Sequence, residues 1–263
     1  MRASKKAAGR RESEPTVGHE HECSAASTAV RPDELASFAG LWQALAAALE
    51  HPDARGREKV KRSPLPFVAE YAAALGLPET VGRRVAQRWG AQLTPSEDLE
   101  WRREHTALFL FAFPNARAPL YESFYLGEHH LLCETPTADV VEAYRRLGLQ
   151  VADGVGLPAD HLVFELEFMA HVAREAVRAA VAGDKEGAHE KLAFLDAFVT
   201  EHPARWVSLL RAAVTENARS PYYPDVIGLL HDSLERWVSP DADPLNVPER
   251  PRGPGPQISH RPG

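Results

Sequence analysis

The stretch from about residue 160 to 182 constrains this chain more than any other. It carries Leu162, Phe164, Leu166, Phe168, Met169 and Val172. Wound as a helix, these side chains occupy nearly every face, so the helix must lie at the centre of a bundle. Glu165 and Glu167 interrupt the apolar run, and each must find a partner or face a cavity. The flanking sequence supplies the covering helices. Leu35, Phe38, Trp42, Leu45 and Leu49 step by three, four, three and four and draw one apolar stripe. Pro32-Asp33 at the head of that stripe is a cap and first-turn signal. Further helices are predicted over about 65–75 and 79–91, and from Ser96-Glu97-Asp98 towards Phe111. Others follow at about 137–147, 160–182, 186–201, 203–217 and 222–238. No window sustains period-two alternation, and the predicted fold is an all-α, single-domain helical bundle over 32–238.

Residues 1–31 lack apolar periodicity and are expected to form a disordered N-terminal tail. Residues 239–263 contain seven prolines, too many for a regular element, and are expected to form a disordered C-terminal tail. The first residues have basic side chains but no apolar stretch behind them, so no secretory signal is expected. Arg10-Arg11 is followed by Glu12-Ser13-Glu14, where a hydrophobic region would have to begin. No run approaches the roughly 18–20 apolar residues that span a bilayer, and stable membrane insertion is not expected. Two cysteines, Cys23 and Cys133, exclude a disulfide framework and fit a reducing cytoplasm. The net charge of −7 is uneven: residues 32–238 hold 21 basic and 30 acidic residues. An acidic body argues against nucleic acid, which requires phosphate neutralisation, and is compatible with a basic peptide partner.

Catalytic templates are absent: no G-x-S-x-G, no phosphate-cradling glycine loop and no H-E-x-x-H. Asp160-His161, after Pro158, is the best polar pair in the chain. Asp160 reads as the N-cap of the buried helix and His161 as a first-turn residue; alternatively, the pair edges a cleft. His19-Glu20-His21-Glu22-Cys23 and His129-His130 with Cys133 each offer two imidazoles and one thiolate, short of the four ligands of a structural zinc site. No metal or other cofactor is therefore expected. Residues 112–135 are irregular, and there Tyr121-Glu122-Ser123-Phe124-Tyr125 either folds back onto the core or lines an apolar groove for a peptide.

Several stretches, in order, resemble the TorD/DmsD family of redox-enzyme maturation chaperones. They are Arg103-Glu104-His105-Thr106-Ala107-Leu108-Phe109, Pro119-Leu120-Tyr121-Glu122-Ser123-Phe124-Tyr125, and Pro158-Ala159-Asp160-His161-Leu162 followed by Glu165-Leu166-Glu167-Phe168-Met169. Phe194-Leu195, His202, Trp206 and Pro221-Tyr222-Tyr223 complete the set. The resemblance implies a TorD-like helical fold, no enzymatic activity, and a cytoplasmic chaperone acting as a monomer or dimer. Its partner would be the twin-arginine signal peptide of a molybdenum-containing oxidoreductase precursor, held back from export until cofactor insertion. The peptide-contacting positions would fall on Leu108, Phe109, Tyr121, Asp160 and His161. Two departures bear on the client: Leu110-Phe111-Ala112-Phe113-Pro114 stands where the family often has a glycine-proline turn, and His105 where some members have an aromatic. Two other readings stay open. One is an adaptor or scaffold whose tails bind, and the other is an enzyme using His161 with Asp160 or Glu165 on a small molecule.

Overall fold

The computed structural model describes residues 31–110, 117–129, 131–152 and 155–239. The expected tails, apart from Arg31 and Ser239, lie outside the described residues, as do the His19–Cys23 string, His130 and the Phe111–Pro114 departure. Eleven α-helices run through the described residues. They are α1 (Pro32–Ala48), α2 (Ala54–Lys61), α3 (Val68–Ala74), α4 (Glu79–Gly90), α5 (Pro95–His105), α6 (Glu122–Leu126), α7 (Thr135–Arg146), α8 (Leu162–Val181), α9 (Lys185–Glu201), α10 (Pro203–Asn217) and α11 (Tyr222–Val238). A 3-10 turn (Leu65–Phe67) precedes α3, and a π-helical turn (Thr106–Leu110) follows α5. Among the described residues there is no strand, and extended backbone pairs only at one antiparallel bridge, Tyr121 with His161.

The architecture follows from α8. Leu162, Leu166, Met169 and Ala173 are wholly buried along it, and Val163, Phe168, Ala170, Val172 and Ala176 widen the covered surface. Its most extensive packing is against α1 and then α9, while α10 pairs with α11 and α3 with α4. The predicted α1 stripe is buried throughout, and Leu41, Ala44 and Ala48 are buried with it. Trp42 packs at a tilt against Phe38 and Trp237, with ring centroids 5.2 and 5.3 Å away. Its indole N–H donates to Ser233 Oγ at 3.1 Å, so a buried donor is satisfied. Tyr222 closes the other end of α1: its hydroxyl donates to the Ala48 carbonyl at 2.8 Å and accepts from the Trp89 indole at 2.6 Å.

Helix ends are set by local chemistry. Pro32 occupies the first turn of α1, where its missing N–H costs nothing. α5 starts one residue before the expected position, under a capping box between Thr94 and Glu97. It widens into the π-helical turn as it continues towards Phe111, as far as Leu110. α2 was not expected: Asp53 caps it by accepting from the Gly56 N–H at 2.9 Å, yet only Gly56 and Val60 are buried. Gly127 ends α6, a short helix inside the span read as irregular. No helix among the described residues is long and apolar enough to cross a membrane.

The α3–α4 hairpin packs backbone to backbone at Gly82. A Cβ there would lie 2.7 Å from Ala69 Cα and 3.1 Å from the Val68 carbonyl oxygen. Helix propensity alone would make Gly82→Ala stabilising by about 1 kcal/mol, whereas forcing these backbones apart costs about 1–3 kcal/mol. Net destabilisation is expected, read as a lowered urea midpoint at unchanged slope; a raised midpoint would show that the hairpin opens without strain.

Candidate functional site

The Leu108 carbonyl, in the π-helical turn, accepts from the Ala118 N–H at 2.8 Å. That bond docks the following segment, residues 118–123, which continues as a strap across the head of α8. The Leu162 N–H donates to the Leu120 carbonyl at 2.8 Å, and the Glu122 N–H to the Asp160 carbonyl at 3.1 Å. Tyr121 and His161 thereby pair through their backbones, and their rings meet edge to face at 4.9 Å.

The N-cap of α8 is His161, not Asp160 as the sequence reading had it. His161 Nδ1 accepts from the Val163 N–H at 3.2 Å. Asp160 does cap a helix, but a different one. Its carboxylate accepts from the Ser123 N–H at 2.8 Å, one of the orphan donors in the first turn of α6. A contact spanning 37 positions in sequence has therefore taken the side chain that local preference assigns to α8.

Strap and turn bring Tyr121, Asp160 and His161 together, and the Ala118 bond ties Leu108 to the same segment. Phe109 faces the core, with its ring 5.2 Å from His105 and 5.1 Å from Tyr223. None of the five presents an open side chain: exposures are 1% for Leu108, 3% for Phe109, 9% for Tyr121, 0% for Asp160 and 7% for His161. The surface that is open begins immediately after them. Val163, Phe164 and Phe168 of α8 form one wall of a groove of about 470 Å³, faced by Tyr144, Leu149, Val151 and Val155. Arg55, Lys59, Glu167 and His171 carry its charges. Tyr144 anchors the chain opposite, donating its hydroxyl to the Ala159 carbonyl at 3.2 Å. Phe164 and Phe168 were legible as core residues; their spacing of four places both on one face, the signal that could have marked them as a groove wall.

Beneath the strap lies a polar cluster that the sequence reading did not assemble. Glu122, Asp160, Glu165 and His202 are all buried. His202 Nδ1–H donates to both Glu122 carboxylate oxygens, at 3.2 and 3.1 Å. Burial raises the Glu122 carboxyl above the ordinary range, against the opposing pull of His202. Glu165 is pushed well above it, first by burial and then by the charges of Glu122 and Asp160. His161 is lowered to about 4 by burial and so is neutral near pH 7. Its imidazole is engaged with Val163 and makes no hydrogen bond to Asp160 or Glu165, so the acid–base pair of the enzyme reading is not formed. Among the described residues no three His, Cys, Asp or Glu side chains are placed to hold a metal. His129 contacts Glu134 at 3.1 Å, and Cys133 is exposed and unbridged.

Comparison with known proteins places this geometry. The family profile described as "Nitrate reductase delta subunit" matches residues 69–212, more than half of the chain. The "Chaperone protein TorD" of Vibrio atlanticus (strain LGP32) is 25% identical over 167 residues, covering 62% of this chain and 76% of that protein. A solved structure named "Putative Redox Enzyme Maturation Protein" from Archaeoglobus fulgidus has a TM-score of 0.46 at 19% identity, covering 75% of this chain and 93% of that one. The profile match spans the π-helical turn, the strap, the Asp160–His161 turn and the buried cluster. The chain belongs to the nitrate reductase delta subunit family, that of the TorD/DmsD redox-enzyme maturation chaperones its motifs resemble.

Proposed function

We propose that this protein is a cytoplasmic chaperone for a molybdenum-containing oxidoreductase precursor, whose twin-arginine signal peptide it holds until cofactor is inserted. The observation that carries the reading is the open apolar groove at the head of α8, directly beyond the Asp160–His161 turn, whose apolar walls fall inside the span that shows the family. A twin-arginine signal combines a basic start with an apolar middle. The apolar middle suits the walls of Val151, Val163, Phe164 and Phe168, and Glu167 supplies a carboxylate at the rim. In this reading Leu108, Phe109, Tyr121, Asp160 and His161 act mainly by fixing the strap and the first turn of α8, and so the position of Val163 and Phe164. Catalysis fits poorly, because Asp160 and Glu165, the carboxyls that would pair with His161, are completely buried.

Binding of a signal peptide to the full chain should show a negative heat-capacity change, the mark of apolar burial. Phe164 is only partly buried, so Phe164→Ser should leave the chain folded and weaken binding by about 2 kcal/mol or more, the scale of an aromatic hot spot. Calorimetric titration giving unchanged affinity would remove the groove from the site. Deleting residues 1–31 and 239–263 should leave binding intact; its loss would favour an adaptor that binds through its tails.

Asp160 separates anchoring from contact. Asp160→Ala leaves the Ser123 N–H without its acceptor in a buried place, at a cost of about 1–3 kcal/mol in stability. Chemical denaturation should show that loss, and peptide affinity measured well below the melting temperature should weaken with it. Weakened affinity at unchanged stability would instead make the carboxylate a direct peptide contact.

A further inference from the structure

We propose that Glu165 carries a proton in the native protein and that this proton latches the 118–123 strap to the Asp160–His161 turn. The geometry leaves Glu165 without a hydrogen-bond partner. It is completely buried, and as a carboxylate neither of its oxygens finds a hydrogen bond. The groups that act on it come from every side: Glu122 at the start of α6, Asp160 from the turn before α8, and the Trp206 indole of α10. Tyr144 of α7 faces the same carboxyls, and His202 at the α9–α10 junction reaches the cluster through Glu122. No lysine or arginine is among the described buried residues. Of these three buried carboxyls only Glu122 is hydrogen-bonded to an imidazole, that of His202, and an unpaired charge so placed is costly.

A proton on Glu165 resolves the arrangement. Two carboxylates in contact only accept, whereas a neutral carboxyl can donate. Glu165 O–H can then donate to Glu122, while the Trp206 indole N–H, itself buried without an acceptor, stands among the groups that act on it. Glu122 in turn accepts from His202, and both line a polar cavity of about 330 Å³ with Asp139, Glu142, Arg146 and Arg205. Glu122 and Ser123 carry the backbone N–H groups that bind Asp160. Ionising Glu165 repels Glu122 and pulls on those two bonds.

The sign follows from the raised carboxyl. The folded chain binds one more proton than the unfolded chain between the ordinary carboxylate range and the native titration of Glu165. The stabilisation is complete below that range and is lost as pH rises through it. Opening of the strap should thus grow by up to about tenfold per pH unit over this window and then level off.

The inference concerns the chain without a partner and stands whether or not it binds a signal peptide. The test has two readouts on the full-length protein. Infrared spectra should show a protonated carboxyl stretch at neutral pH that Glu165→Gln removes. Hydrogen exchange of the Glu122, Ser123 and Leu162 amides, corrected for intrinsic rates, should give the pH-dependent opening in the wild type and a flat profile in Glu165→Gln. The proposal is overturned by absence of the band, by its survival in Glu165→Gln and loss in Glu122→Gln, or by equal slopes in both proteins. Should Glu165→Gln not fold, the wild-type band and slope decide, and absence of either sinks it.

Discussion

A helix with apolar side chains on nearly every face is stable in water only if other helices enclose it, and that requirement organises this chain around α8. Burying Leu162, Leu166, Met169 and Ala173 completely calls for neighbours on all sides, which α1 and α9 supply most extensively. Each neighbour buries a broad face in turn, and the aromatic contacts of Trp42, Trp237 and Tyr222 close the gaps between them. Because the apolar surface is shared among all of these helices, none could keep its packing if α8 were lost.

Enclosure has a consequence at the ends of the central helix. The first turn of α8 has backbone N–H groups that need acceptors, deep enough that water cannot serve freely. The chain answers with protein groups: the Leu120 carbonyl takes the Leu162 N–H, and His161 takes that of Val163. The strap that delivers Leu120 brings Glu122 with it, and Asp160 completes the exchange through Ser123. A polar cluster thus arises at the place where a buried helix must begin. The groove lies beside it because Val163 and Phe164 are the next residues along.

Much of this was legible in the sequence. Periodicity exposes helices that bury a stripe, so α1 and α8 to α11 stand close to where the pattern puts them. α2 was hidden because Ala54–Lys61 is polar and buries little, and its Asp53 cap is a weak signal without an apolar face behind it. α6 was hidden because a helix of five residues between proline-bounded segments has no period to read. At the site, the motifs pointed to the right stretches while the roles of their side chains came out differently. Asp160 is an excellent N-cap by composition, but its partner is Ser123, which no local rule connects to it. Glu122 and His202 lie 80 positions apart, and only the folded chain shows that they pair. Of the five expected contact residues, Leu108, Phe109 and Tyr121 are buried as apolar or aromatic side chains usually are, while Asp160 and His161 are buried because each caps a helix end.

The buried carboxyls are hard to explain by stability alone. Replacing a buried ionic group with a well-packed apolar one is often neutral or stabilising by about 1–4 kcal/mol, so three carboxyls and an imidazole are a poor way simply to hold helices together. What they supply is direction. Apolar side chains at these positions could pack in several registers, whereas Asp160 must meet the Ser123 N–H and Glu122 must meet His202 for either to be tolerated. That demand fixes the strap against the turn, and with it the orientation of the first turn of α8. Val163 and Phe164 inherit the orientation, so the shape of the groove is decided by polar contacts that the groove itself does not expose. This arrangement holds the aromatic wall of the groove, Phe164 and Phe168, in place. It also ties the form of the groove to the protonation of a cluster lying just behind its wall.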